Sequence, residues 1–230
     1  MRQSFAKGGS NFSMNPFIAL TALTLLFFTS LTNYLLFHSL AEIFSIVIAS
    51  MIFIIGWHSR YYIKNNYLLY ISISYLFIGF LDLLHTLSYP GMSIFKDYDY
   101  YANQLWIAAR YMEALVLLTG FLLINNKEKL NHRLVMLFMA SITAVIILSV
   151  FVWKSFPICF VKGEGLTTFK INSEYIICLI LLGSAGLLYK HKSHFNEKVY
   201  RYMMLSIVYT IIDELAFNFY ISNYDISNMI

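Results

Sequence analysis

The chain has 230 residues, of which 59% are hydrophobic and only 12% are charged, whereas charged residues make up about 25% of an ordinary soluble domain. So little charge cannot cover the surface of a soluble globular protein, and disorder is excluded because it requires a polar composition. We therefore expect an all-α, polytopic transmembrane helical bundle. A span takes about 20 residues, so the length allows about seven or eight spans and no soluble catalytic domain.

Apolar runs separated by polar breaks predict the helices in chain order. A cytoplasmic leader over residues 1–16 precedes a membrane-embedded domain over residues 17–230. Hydrophobicity continues around every face of the runs, which is typical of membrane helices and not of amphipathic soluble ones. The seven predicted spans are Phe17–Tyr34, Leu40–Trp57, Tyr67–Leu87, Ala102–Ile124, Leu134–Trp153, Tyr175–Tyr189 and Tyr200–Tyr220.

The basic residues are distributed unevenly between the predicted loops. Eleven Lys and Arg residues fall in the leader and in the loops after spans two, four and six, and four fall in the alternate loops. The positive-inside rule therefore predicts a multi-pass protein of the cytoplasmic (inner) membrane with a cytoplasmic N-terminus, and explains the net charge of +4 without a nucleic-acid partner. Seven spans would leave the end of the chain outside, so we expect an eighth span to follow in the full-length protein.

Ionisable residues inside the predicted spans are few, and they share helix faces at spacings of three or four residues. The predicted topology puts them all in the outer half of the bundle. Charges in a membrane are costly and usually face the bundle interior or a cavity. Asp213 and Glu214 are adjacent and point about 100° apart, so we expect one of them at the site. The predicted ligand-binding or sensing residues are His38, Glu42, Asp82, His85, Trp106, Arg110, Glu113 and Glu214.

The predicted site holds more acid than base, because Arg110 is the one fixed cation beside five carboxylates, Asp213 included. Buried unpaired carboxylates either take up a proton or bind a cation. His38, Glu42, Asp82 and His85 are ligand types that suit Zn, Fe or Cu, so a transition metal is one possible cofactor beside a proton or a cationic ligand. The competing interpretation is that these polar pairs only hold helices together.

Two stretches of the sequence resemble a known family. The run Asp-Leu-Leu-His-Thr-Leu-Ser-Tyr-Pro-Gly-Met from Asp82, followed by Gln-Leu-Trp-Ile-Ala-Ala-Arg-Tyr-Met-Glu from Gln104, resembles the membrane-associated sensor domain of the third type in the MASE family. The resemblance covers nearly the whole chain from span one. It implies an N-terminal sensory module of bacterial or archaeal histidine kinases and diguanylate cyclases. Further stretches that fit the pattern are His38–Ser45, Phe156–Phe160 with Gly163 and Gly165, and Asp213–Phe217.

The sequence therefore predicts a sensory input module that is not itself an enzyme. Its expected partners are the lipid bilayer, an unknown small ligand or ion, a C-terminal cytoplasmic signalling domain and a second copy in a possible homodimer. Two other classes stay open. A small transporter or channel would need polar residues that continue into the inner half. An intramembrane metal-dependent enzyme would use the same polar cluster as a catalytic site.

Overall fold

The structure is a computed structural model that describes residues 16–92, 94–95, 100–126 and 128–217. A short 3₁₀ turn, Gly120–Leu123, extends the helix Tyr101–Thr119, and a π turn, Leu148–Val152, extends the helix His132–Ile147. The strands β1 (Phe160–Val161) and β2 (Gly165–Leu166) form a small antiparallel hairpin. The seven α-helices of the described residues are α1 Pro16–Thr32, α2 Tyr34–Ser59, α3 Asn66–Leu87, α4 Tyr101–Thr119, α5 His132–Ile147, α6 Thr168–Lys190 and α7 Glu197–Phe217.

These helices confirm the predicted all-α membrane bundle and correspond in order to the seven predicted spans. Five of them (α2, α3, α4, α5 and α6, with α4 and α5 including their extensions) are long and apolar enough to cross a membrane. The apolar part of α1 is shorter, and α7 contains five charged residues. Residues 1–15 of the predicted leader and residues 218–220 of the seventh predicted span lie outside the described residues.

Two helices begin earlier than predicted because a polar side chain caps each of them. The Asn33 side chain accepts a hydrogen bond from the backbone N–H of Leu36 at 3.1 Å, and α2 begins at Tyr34 instead of Leu40. Thr167 Oγ1 accepts from the backbone N–H of Lys170 at 3.3 Å, and α6 begins at Thr168 instead of Tyr175. Such caps satisfy the N–H groups that the first helical turn leaves open. The prediction that the sixth span begins only at Tyr175 is therefore wrong.

The chain divides between His38 and Ser39 into two compact units. In the first unit, the rings of Tyr34 and His38 stack with centroids 6.4 Å apart. The second unit contains the hydrophobic core, which is centred on α3 and α4; Tyr67, Leu81 and Leu105 are completely buried in it. Within this unit α3 packs on α4 and α5, while α6 packs between α4 and α7.

Side-chain amides join the loops at the two ends of the second unit. At one end, Asn65 Nδ2 donates to the carbonyl of His194 at 3.2 Å, and Asn66 Nδ2 donates to the carbonyl of Asn126 at 3.1 Å. The loops after α2, α4 and α6 therefore meet there. At the other end, Gln104 Nε2 donates to the carbonyl of Phe156 at 3.0 Å, in the loop that leads to the β hairpin. This is the arrangement that alternating spans predict; which end faces the cytoplasm stays a prediction.

Small residues bring the backbones of α2 and α3 into contact within this unit. A Cβ atom added to Gly56 on α2 would lie 2.1 Å from Cβ of Ser72 on α3. A Cβ added to Gly79 on α3 would lie 2.9 Å from Cβ of Ala49 on α2. Distances this short leave no room for a side chain, and close approach through small residues is a common mode of helix packing in membranes.

Candidate functional site

The guanidinium of Arg110 on α4 joins two carboxylates from two helices. Its Nη2 donates to both oxygens of Asp82 on α3, at 3.0 and 3.2 Å, and its Nη1 donates to Glu113 Oε2 at 2.6 Å. The three side chains are 12%, 3% and 10% exposed, respectively. Forked hydrogen bonds of this kind between ionised groups are stronger than neutral ones. Arg110 therefore connects α3 to α4 at a buried point.

Tyr75 completes this arrangement and was not among the predicted residues. Its hydroxyl donates to the other oxygen of Glu113, Oε1, at 2.9 Å. Tyr75 precedes Asp82 by seven residues on α3, so the two side chains share a helix face two turns apart. The spacing of seven residues could have indicated that Tyr75 belongs to the site. Tyr75 was not predicted because a tyrosine in an apolar run resembles an ordinary core residue.

His85 has its two ring nitrogens in different environments. Nδ1 lies 2.8 Å from the carbonyl oxygen of Ala102. A carbonyl can only accept, so Nδ1 is the donor in this contact. Nε2 lies 3.8 Å from Oε1 of Glu42 on α2. A histidine held at Nδ1 by a backbone carbonyl, with Nε2 directed at a carboxylate, is oriented to bind a metal or exchange a proton through Nε2.

Trp106 lies between His85 and Arg110. Its ring centroid is 4.6 Å from Cζ of Arg110, which is a cation–π distance, and 5.3 Å from the His85 ring. Tyr89 also meets the His85 ring edge-on, with ring centroids 6.2 Å apart. Trp106 is therefore a wall of the polar site. Both aromatic rings pack against His85 and limit its rotation.

A second buried ion pair, on α6, was missed by the sequence analysis. Lys170 Nζ donates to Oε1 of Glu174, and the two side chains are 1% and 0% exposed. The i, i+4 spacing of Lys170 and Glu174 was visible in the sequence. Lys170 was instead counted as a loop cation, because α6 was predicted to begin only at Tyr175. The corrected start of α6 places both residues in the bundle.

The last described helix adds two more carboxylates. Glu214 is completely buried, whereas its neighbour Asp213 is only partly buried, as expected for adjacent residues that point in different directions. Glu214 interacts electrostatically with Arg110, Lys170 and Glu174. Glu214 therefore connects the ion pairs of Arg110 electrostatically with the Lys170–Glu174 ion pair.

These groups form one network, which we call the ionic cluster. Arg110 also interacts electrostatically with Glu42, and Asp213 with both Arg110 and Lys170. Among the described residues, the cluster contains two permanent cations and six carboxylates, so acid exceeds base by four. The members of the ionic cluster are Glu42, Asp82, His85, Arg110, Glu113, Lys170, Glu174, Asp213 and Glu214.

The members of the ionic cluster are concentrated toward one end of the bundle. Asp82 and His85 occupy the last two turns of α3, and Lys170 lies in the first turn of α6, just after the β hairpin. Asp213 and Glu214 occupy the last turns of α7. Arg110 and Glu113 lie near the middle of α4 with its extension, so the gathering of every polar group in the outer half stays a prediction.

The predicted metal ligands differ in how accessible their donor atoms are. Both oxygens of Asp82 already accept from Arg110, which argues against Asp82 as a metal ligand. Glu42 and the Nε2 atom of His85 form a carboxylate–imidazole pair that suits Zn, Fe or Cu. His38 belongs to the first unit, so its participation beside Glu42 stays a prediction.

Fold and site together define a membrane-embedded, multi-helix protein with a buried ionic centre. The sequence profile of the membrane-associated sensor domain, MASE3, matches residues 29–230, so the chain belongs to this family. It is a membrane-associated sensory domain. Comparison with curated proteins gave no match, and comparison with the solved structures gave none.

Proposed function

We propose that the ionic cluster is the detector of this sensory domain, and that its state controls a cytoplasmic histidine kinase or diguanylate cyclase located C-terminal to it in the full-length protein. The observation that carries this proposal is the excess of four carboxylates over permanent cations inside the cluster. Buried carboxylates that outnumber the cations around them take up protons or bind cations. The stimulus is accordingly a proton, a metal ion such as Zn, Fe or Cu, or an organic cation.

The contact between Glu42 and His85 is where we place the first event. A proton or metal ion taken up there neutralises Glu42, which otherwise acts electrostatically on Arg110. Once Glu42 is neutral it no longer attracts Arg110. The attraction of Arg110 to Asp82 and Glu113 is then a larger share of the forces on its guanidinium. Since Arg110 connects α3 to α4, this change favours one packing of the two helices over another.

The signal then passes to the last described helix. Glu214 on α7 interacts with Arg110 on α4 and with the Lys170–Glu174 pair on α6. A shift of charge at Arg110 therefore changes the balance of forces on α7. A ligand controls such an equilibrium only through its different affinity for the two arrangements, and uptake of a positive charge by the acidic cluster provides that difference.

The test uses the full-length protein in its native membrane, with kinase or cyclase output measured over steps of pH and over additions of Zn²⁺, Fe²⁺ and Cu²⁺. We expect His85→Ala and Glu42→Gln to leave abundance near normal and to abolish the response or lock it in one state. His58→Ala is the matched control, because His58 is an exposed histidine at the opposite end of α2. It should respond like the unaltered protein.

The structural interpretation of the cluster makes a different prediction for the same variants. If the polar pairs only hold helices together, His85→Ala should destabilise the bundle by about 0.6–2 kcal/mol and lower its abundance. Normal stability together with a normal response would contradict the proposal. Metal analysis of the purified protein, with His38→Ala and His85→Ala as comparisons, tests the narrower case of a metal stimulus.

A further inference from the structure

A group of cations and aromatic rings lies at the end of the bundle opposite the β hairpin, where α2 ends and α5 begins. We call it the basic–aromatic cluster; it consists of Trp57, Arg60, Tyr61, Lys129, His132 and Arg133. Arg60 Cζ lies 4.4 Å from the ring centroids of both Trp57 and Tyr61. Its Nη1 also donates to the carbonyl of Trp57 at 2.6 Å. Arg60 is thereby held in one orientation.

The loop before α5 adds a second cation to the same place. Lys129 Nζ donates to the carbonyl of Tyr61 at 3.0 Å and lies 5.3 Å from the Tyr61 ring. The His132 ring meets Trp57 edge-on at 5.5 Å and Tyr61 at 6.0 Å. Arg60, Lys129 and Arg133 all act electrostatically on His132. Three positive charges therefore lie near one imidazole.

No carboxylate neutralises these cations within the described part of the chain. The ion pairs there involve other residues, and Glu128, which directly precedes Lys129, forms none of them. Like charges that are held together in this way repel one another, so an anion bound between them is strongly favoured. The arrangement is therefore suited to a negatively charged ligand.

The position of the cluster indicates which kind of anion it would bind. Trp and Tyr side chains are enriched at the level of the lipid headgroups. Directly along the helices from the cluster, Ile55 on α2 is 62% exposed, and Leu134 and Leu137 on α5 are 63% and 65% exposed. Cations at one level and an apolar surface below it match the headgroup phosphate and the acyl chains of a phospholipid.

We propose that Arg60, Lys129 and Arg133 bind the phosphate of an anionic phospholipid, with His132 and the hydroxyl of Tyr61 beside it. Arg60 presents a planar guanidinium, the group best matched to phosphate oxygens. Lys129 and Arg133 are exposed and can close on the headgroup from the α5 side. The bound lipid would link the end of α2 to the start of α5.

The test measures lipid retention by the full chain in nanodiscs of phosphatidylcholine containing a minority of phosphatidylglycerol. Retained lipid is counted by native mass spectrometry, and affinity is obtained by varying the phosphatidylglycerol fraction. We expect Arg60→Gln/Lys129→Gln/Arg133→Gln to weaken phosphatidylglycerol binding by about 100-fold, since each basic residue near an anionic surface contributes about fivefold. The charge-matched control Lys190→Gln/Lys192→Gln/Lys198→Gln removes three cations from the α6–α7 side of the same end. It should lower phosphatidylglycerol binding far less, because these lysines lie outside the basic–aromatic cluster.

Single substitutions avoid the possibility that loss of Arg60 disturbs folding. Lys129→Gln and Arg133→Gln change exposed side chains, and each should weaken binding about fivefold. If the two triple variants lost equal affinity for phosphatidylglycerol, the proposal would be overturned. Binding would then depend on the total positive charge at this end and not on the basic–aromatic cluster. If inorganic phosphate in pure phosphatidylcholine stabilised the protein as much as phosphatidylglycerol does, the lipid would be overturned as the source of the phosphate.

Discussion

At the scale of single residues, Arg110 controls the charge balance between α3 and α4, because its guanidinium binds Asp82 and Glu113 at the same time. Arg110→Ala would leave two buried carboxylates without their cation. Removing one partner of a buried ion pair costs about 3–5 kcal/mol. We therefore expect a large fall in the free energy of unfolding, measured by chemical denaturation in detergent.

The matched control for that substitution is Arg201→Ala. Arg201 pairs with Glu197 on the surface of α7, and the two side chains are 69% and 74% exposed. An exposed pair contributes about 0–1 kcal/mol, so this variant should unfold almost like the unaltered protein. Adding Asp82→Asn and Glu113→Gln to Arg110→Ala should recover much of the lost stability, because the unpaired charges disappear. Equal losses in Arg110→Ala and Arg201→Ala would contradict the assignment.

The thiol of Cys159 provides a residue-scale prediction on pH dependence. Burial raises the pKa of Cys159 to about 12, and its Sγ donates a weak hydrogen bond to the carbonyl of Pro157 at 3.6 Å. Thiolate is the reactive form of cysteine. Near pH 8, Cys159 should therefore react with iodoacetamide about a thousandfold more slowly than an exposed cysteine.

The labelling rate of Cys159 should rise about tenfold per pH unit from pH 8 to pH 10, since its thiolate fraction is still increasing there. The measurement uses a Cys178→Ser background, so that one thiol remains. Its control adds Cys159→Ser and Ser155→Cys, which moves the thiol to an exposed position in the same loop. That control should reach a constant rate above about pH 9. A plateau for Cys159 itself at the same pH would refute the prediction.

At the scale of helices, the contact between α2 and α3 depends on the absence of a side chain at Gly56. In Gly56→Ala the new Cβ would lie 2.1 Å from Cβ of Ser72, so the helices must separate. We expect a loss of about 1–3 kcal/mol in the free energy of unfolding. Gly186→Ala on α6 is the control, because no atom lies within 4 Å of its added Cβ. Adding Ser72→Gly to Gly56→Ala should restore the free energy of unfolding. If it does not, the strain arises from a contact other than the one with Ser72.

The helix scale also shows where local sequence signals were sufficient and where they were not. Hydrophobic run length located α3, α4 and α5 within a few residues, because crossing a membrane sets the length of a span. The start of α6 was displaced because one hydroxyl at Thr167 caps the helix. Seven residues, five of them polar, thereby precede the apolar run in the same helix, and no hydrophobicity pattern detects such an extension.

At the scale of the whole molecule, the distribution of Lys and Arg predicts which end faces the cytoplasm. A reporter active only in the cytoplasm, fused after Lys192, should give signal, because Lys192 lies between α6 and α7 at the end predicted to be cytoplasmic. The same reporter fused after Lys162, in the β hairpin at the other end, should be silent. A periplasm-active reporter should give the opposite pattern at both positions. Activity of the cytoplasmic reporter only at Lys162 would reverse the topology and place the ionic cluster toward the cytoplasm.

Composition and run length were enough to predict an all-α membrane bundle, and helical spacing was enough to put Arg110 and Glu113 on one helix face. The resemblance of two sequence stretches indicated the sensor family. Each of these is a property of local sequence. Only the tertiary structure decided that Arg110 also binds Asp82 and that His85 faces Glu42, since these contacts depend on how separate helices are rotated and paired. Burial of the Lys170–Glu174 pair was decided in the same way. A charge is buried by its neighbours in space, and the sequence alone does not specify which helices those neighbours come from.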